Sequence, residues 1–128
     1  MKFQPDRAEG VNTITQHDAS NIWVDARAYG HSLLVPWTGE VQRWAPARIE
    51  QLLPEHFEQA LALQPELVIF GSGARHRFAP AALMRCLIER RIGVETMDTA
   101  AACRTFNVLA SEGRAVLAVL LLDPAGPA

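Results

Sequence analysis

Cysteine is scarce in this chain: Cys86 and Cys103 are the only two in 128 residues, too few for the disulfide framework of a small secreted domain. Each sits among apolar residues of an expected helix, where a free thiol behaves as a small hydrophobe. Long hydrophobic runs are also missing. The longest, Ala115 to Leu122, is eight residues, against the ~20 that a helix needs to cross a bilayer. Met1-Lys2-Phe3-Gln4-Pro5-Asp6 has no apolar core and acidic residues follow it, so neither a signal peptide nor a transit peptide fits; the expected compartment is a reducing cytoplasm. Nor is there an excess charge of either sign. Twelve Lys plus Arg stand against fourteen Asp plus Glu, a formal net charge of −2, which gives no global attraction to nucleic acid or to an acidic membrane face. Arg85, Arg90 and Arg91 make a small basic patch, but Glu89 interrupts it, and a solvated helix face is the better account.

What is present is enough apolar material for a core. Hydrophobic residues make up 49% of the chain and charged residues 20%, which excludes a disordered or coiled-coil chain. The length fits one domain, 1–128, burying roughly two-thirds of its extended surface. Organisation changes near the middle. Residues 1–45 read as an antiparallel β meander: short apolar stretches at Asn12 to Thr15, Asn21 to Val24 and Ser32 to Val35, then a hairpin return at Thr38-Gly39 into Glu40-Val41-Gln42-Arg43-Trp44. Residues 46–122 read as alternating helix and strand. Pro54 to Leu63 suits a helix with proline in its first turn and Leu53, Phe57, Ala60 and Leu61 on one face. Leu67 to Phe70 is a buried strand ending at Gly71. A helix follows from Ala79 to Arg90, with Leu83, Met84, Leu87 and Ile88 as its stripe, then a buried strand from Ile92 to Met97. Asp98 caps a helix running to about Ser111, Gly113 ends it, and Ala115 to Leu122 is the last buried strand. Residues 123–128 form a frayed tail. The class is therefore single-domain α/β with a mostly parallel sheet and an added N-terminal antiparallel β layer.

The chemistry concentrates at the carboxyl edge of that sheet. Gly71-Ser72-Gly73 follows the first buried strand and Asp98-Thr99 the second, and both loops leave the edge where open α/β sheets bind ligands. Glycine amides there can cradle an anion, with Arg75 and Arg77 supplying charge and forked donors. Asp98 either caps its own helix or points inward and selects a hydroxyl-bearing ligand. The competing reading is a plain tight turn with solvated arginines, and it is favoured. A dinucleotide fingerprint needs a third glycine where His76 stands, and no phosphate-loop Gly-Lys-Ser/Thr exists. Ser72 lies outside a nucleophile elbow, and Cys103 lies too far into its helix for strong activation. His17, His31, His56 and His76 show no ligand spacing, so neither metal nor cofactor is expected. Three tryptophans, Trp23, Trp37 and Trp44, fall in the meander; Trp37, beside the hairpin tip, is the candidate interface anchor.

One long motif resembles a known family. Asp98-Thr99, then Ala102-Cys103-Arg104-Thr105-Phe106-Asn107, then Glu112-Gly113-Arg114 is similar to the pattern of a small family of unknown function. That family includes the mitochondrial respiratory complex I assembly factor number three and many bacterial and archaeal proteins. Gly71-Ser72-Gly73, the stretch Gly30-His31-Ser32-Leu33-Leu34-Val35 and Trp44 match it as well, so the resemblance covers nearly the whole chain from Gly30. It implies a three-layer α/β fold with a mixed central sheet and an additional β layer. It implies no established reaction and, for the mitochondrial relatives, a chaperone-like part in assembling complex I. Since this chain lacks their presequence, a prokaryotic cytoplasmic member is the expectation. The motif also has a direct physical reading: Thr105 and Asn107 flank the buried stripe and can bond a neighbouring loop, while Glu112 and Arg114 form an ion pair.

Function on this reading is that of a non-catalytic interaction or assembly protein with a protein partner, bound neither to nucleic acid nor into a membrane. The alternative is a small anionic ligand or nucleotide held by Gly71, Ser72, Gly73, Arg75, Arg77, Asp98 and Thr99.

Overall fold

A run in which every residue is apolar makes a strand only if both of its faces are covered, and the run ending at Leu122 sets the architecture for that reason. The computed structural model describes residues 10–125; the start at Met1 to Asp6 and residues 126–128 of the expected tail lie outside the described residues. Five strands come first or early: β1 (Ile14–His17), β2 (Ile22–Val24), β3 (Arg27–Tyr29), β4 (Leu33–Pro36) and β5 (Gln42–Arg43). Then follow α1 (Pro54–Leu61), β6 (Leu67–Gly71), α2 (Arg85–Glu89), β7 (Gly93–Met97), α3 (Thr99–Ser111) and β8 (Val116–Leu120). Short 3-10 turns occupy Ile49–Gln51 and Ala81–Met84.

The central sheet has the order β5-β4-β8-β6-β7, and β1-β2-β3 form a separate antiparallel sheet. β6 runs parallel to β7 and to β8, whereas β4 pairs antiparallel with β8 and with β5, so the five-stranded sheet is mixed. The chain steps outward from β6 to β7 and then back across β6 to β8. Right-handed crossovers in opposite directions put α2 and α3 on opposite faces. Each face then has its own core. Val116, Ala118, Leu120 and Leu122 join Ile69 and Phe106 on the side of α3 and the small sheet. Leu117, Val119 and Leu121 alternate to the other side, with Phe57, Phe70 and Leu87 under α1 and α2. The result is three layers with an additional β layer, the class expected.

Several boundaries differ from the expectation. The meander assigned to residues 1–45 divides after Tyr29: β4 and β5 belong to the central sheet, because Leu33, Leu34 and Val35 pair with β8 and are covered on both faces. β3 was not foreseen, since Arg27-Ala28-Tyr29 is mostly exposed and carries no apolar alternation. The helix expected from Ala79 to Arg90 is a 3-10 turn followed by five α-helical residues, and of its stripe only Leu87 is buried while Ile88 faces solvent. β7 is an edge strand of mixed exposure rather than a buried one, having a neighbour on one side only. Leu53, placed on the buried face of α1, is instead exposed at its N-cap.

Asn107 helps tie the small sheet to the main body, beside the apolar packing of Ile14, Ile22 and Val24 against α3 and the central sheet. Asn107 Nδ2 donates to the Ile14 carbonyl and its Oδ1 accepts from the Ile14 amide, both at 2.8 Å. The amide thus acts as an extra peptide unit on β1, where sequence pattern pointed only to some neighbouring loop. Asn107→Ala leaves both backbone groups of Ile14 without this partner and should lower stability by about 1–3 kcal/mol. Urea denaturation checks the loss, and hydrogen exchange at the Ile14 amide should quicken more than exchange within β8.

Candidate functional site

The loop after β6 is built around Ser72. Its hydroxyl donates to the Arg75 carbonyl at 2.7 Å and accepts from the Arg77 amide at 3.0 Å, closing residues 72–77 into a compact turn. The Ser72 amide donates to the Met97 carbonyl at 2.8 Å, which fastens that turn to the end of β7. Thr99, first residue of α3, makes the second junction. Its Oγ1 donates to the Leu121 carbonyl at 2.8 Å and accepts from the Gly73 amide at 2.9 Å. Gly73 itself has φ +106, a conformation that favours glycine. Asp98 resolves its alternative: the carboxylate accepts from the Ala101 amide at 2.8 Å and caps its own helix.

Around these junctions opens a cleft of about 910 Å³, formed by segments 17–19, 47–50, 72–75, 99–100 and 121–123 together with Arg77. The structure therefore gathers five of the seven expected site residues: Ser72, Gly73, Arg75, Arg77 and Thr99 line the cleft. Gly71 lies behind it, under Thr99 and Leu120, and Asp98 is turned to its helix. The expected amide cradle is corrected, because the Ser72 and Gly73 amides are bonded within the fold and do not face a ligand. Residues that sequence reasoning missed complete the wall: His17, Asp18, Arg48, Glu50 and Asp123. They come from three remote segments, and no spacing in the chain links them.

Charges in the cleft are largely matched. Arg77 bonds Glu50 at 2.8 Å, and Arg48 lies 3.8 Å from Asp123. Asp18 accepts from the amides of Ser20 and Asn21. Among the described residues, Arg75 has no ion-pair partner. The Arg77 hydrogen bond holds the Glu50 carboxyl below its ordinary 4.5. The pair's contribution is thus present above about pH 4.5 and is lost as the pH falls through the lowered value. NMR titration of the Glu50 side chain should show this depression in the wild type and a return toward 4.5 in Arg77→Gln; an unchanged titration would contradict the pairing.

Elsewhere the expected motif residues serve the fold. Ala102, Cys103 and Phe106 are buried against the sheet, and burial pushes the Cys103 thiol up to about 12. Thr105 is half-buried on the same helix. Gly113 takes φ +83 after α3. Arg114 does not pair with Glu112; it lies 3.7 Å from Glu66, whose carboxylate also accepts from the Ala115 amide, at the end of the sheet remote from the cleft. Trp37, the expected interface anchor, is half-buried against the core shared with α3. Among the described residues no group of three or more His, Cys, Asp or Glu is placed to hold a metal ion, and no helix is long and apolar enough to cross a membrane.

Comparison with known proteins matches residues 14–121 to the family described as "Protein of unknown function (DUF498/DUF598)". The chain is 35% identical over 104 residues to the NADH dehydrogenase [ubiquinone] 1 alpha subcomplex assembly factor 3 of Bos taurus, covering 80% of this chain and 55% of that protein. It spans about half the length of the assembly factors it matches. A protein of Francisella tularensis named "13 kDa major membrane protein" is 26% identical, with 94% of this chain and 99% of that one aligned. A crystal structure of a protein from Bordetella parapertussis superposes with a TM-score of 0.84 at 34% identity, covering 91% of this chain and all of the other.

Proposed function

The chain belongs to the family described as "Protein of unknown function (DUF498/DUF598)", and on that premise we propose that it is a non-catalytic, assembly-factor-like protein that binds subunits of a respiratory NADH dehydrogenase. The observation that carries this reading is the match to the mammalian assembly factor through most of the folded body, 80% of this chain. A surface feature supports it. Phe78 is 75% exposed, and the His76 ring stands edge-on to it with centroids 4.7 Å apart, so an aromatic side chain is presented to solvent in a restrained position. Exposed aromatics of this kind are frequent interface anchors; Phe78 takes the place that sequence reasoning gave to Trp37. The two free thiols suit a reducing compartment, and the proposal includes a prokaryotic cytoplasm.

The test is affinity purification of tagged wild type and of Phe78→Ser, a surface change, from cells that make the protein. Enrichment of NADH dehydrogenase subunits with the wild type, reduced by the substitution, supports the reading. Subunits recovered no better than with the tag alone contradict it.

A second reading, binding of a small anionic ligand or nucleotide at the carboxyl edge, is favoured by the cleft. Gly73→Val is a poor probe of it, because the positive φ strains any side chain at that position even though a Cβ meets nothing within 4 Å.

A further inference from the structure

Resting on that second reading, we infer that the cleft takes an amphiphilic monocarboxylate rather than a phosphate or nucleotide. Two features of its lining select the class. The first is its apolar lining. Ile49 and Leu122 lie on the cleft, largely buried, with the small side chains of Ala19, Ala47 and Ala100 beside them. A volume of about 910 Å³ lies within the range that houses ligands of tens of atoms. An apolar body fits such a lining, whereas a sugar or a base would leave its polar atoms unmatched.

The second feature is the charge at the mouth. Three arginines meet three acids there, and two of the arginines are matched by Glu50 and Asp123. Arg75 is left over, and the Ser72 hydroxyl fixes its backbone at the rim. One forked guanidinium suits one carboxylate. A phosphate needs a nest of amides, and three of those at this edge are engaged: Ser72 with Met97, Gly73 with Thr99, Arg77 with Ser72. The hydroxyls of Ser72 and Thr99 donate inward as well, to Arg75 and Leu121. Asp18, on the same wall, repels anions, about twice as strongly for a dianion as for a single carboxylate.

The experiment follows amide shifts in isotope-labelled protein titrated with sodium octanoate, 1-octanol or inorganic phosphate. Octanoate should move amides of 72–77, 99–100 and 121–123; octanol should move the same set only at roughly tenfold higher concentration, and phosphate should move none. Arg75→Gln, at an exposed position, should weaken octanoate roughly tenfold and leave octanol unchanged. Ala74→Trp, also exposed, should fill the mouth and abolish the octanoate shifts. Phosphate acting at lower concentration than octanoate overturns the inference while leaving an anion site in place. Octanol equal to octanoate in the wild type overturns it in favour of an uncharged apolar groove, and octanoate shifts that survive Ala74→Trp put the ligand elsewhere. No response to any probe overturns both this inference and the reading on which it rests.

Discussion

Trp44→Ala is expected to lower the free energy of unfolding by about 3–5 kcal/mol, a large part of the ~5–15 kcal/mol that a domain of this size holds. Trp44 is 1% exposed and lies just beyond β5. Its ring meets Phe57 of α1 edge-on at 5.7 Å and Phe70 of β6 at 6.4 Å, while Phe57 and Phe70 meet each other at 5.9 Å. Three aromatic rings from three separate segments thus close the core beneath α1. The indole Nε1 also donates to the His56 carbonyl at 3.0 Å. Alanine removes the packing against these rings and opens a cavity in the core. Trp44→Phe keeps most of the packing and gives up the hydrogen bond, so its loss should be nearer ~1 kcal/mol. Urea unfolding of the two variants checks the ordering. A Trp44→Ala loss below that of Trp44→Phe would contradict the assignment of this cluster to the core.

Gly71→Val is the second large effect, expected at about 3 kcal/mol from overpacking. A Cβ built on Gly71 would lie 3.0 Å from Thr99 Cα, 3.0 Å from Thr99 Oγ1 and 3.0 Å from Leu120 Cδ2. The leucine methyl can rotate away, but the Thr99 backbone is pinned by its bond to the Gly73 carbonyl and by the side-chain bridge to Leu121. Relief therefore requires α3 to move off the sheet. Two chain reversals that line the cleft hang on that contact, so the substitution should also increase the exchange of the Gly73 amide. Gly73→Ala offers the contrast. Its cost is confined to the backbone strain of φ +106, because a Cβ there meets nothing within 4 Å. Gly71→Val no more destabilising than Gly73→Ala in thermal or chemical unfolding would contradict the close approach of α3.

Elements whose cause is local were legible in the chain. Pro54 starts α1, Asp98 caps α3, and the apolar run through Val119 becomes a strand covered on both faces. The adjacency of β6 and β7 followed from the short crossover between them, and with it the convergence of the two loops at one edge. Features set by distant contacts were hidden. Arg27–Tyr29 is a strand only because β2 offers it an edge, and β4 leaves the meander because β8 is there to pair with it. The cleft shows the same division. Ser72, Gly73 and Thr99 were found from topology, while Arg48, Glu50 and Asp123 reach it through the folding of separate segments. Electrostatic roles were the least legible, since pairing of Arg77 with Glu50 and of Arg114 with Glu66 depends on side chains 27 and 48 positions apart, by subtraction of the residue numbers.

The central functional claim is an assembly role, and the direct measurement is the amount of assembled NADH dehydrogenase in cells from which this gene has been deleted. Native gel electrophoresis with in-gel activity reads it, in the deletion and after return of the wild type or of Phe78→Ser. The account predicts less assembled complex in the deletion, recovery with the wild type and incomplete recovery with Phe78→Ser. A deletion strain with an undiminished complex would contradict it.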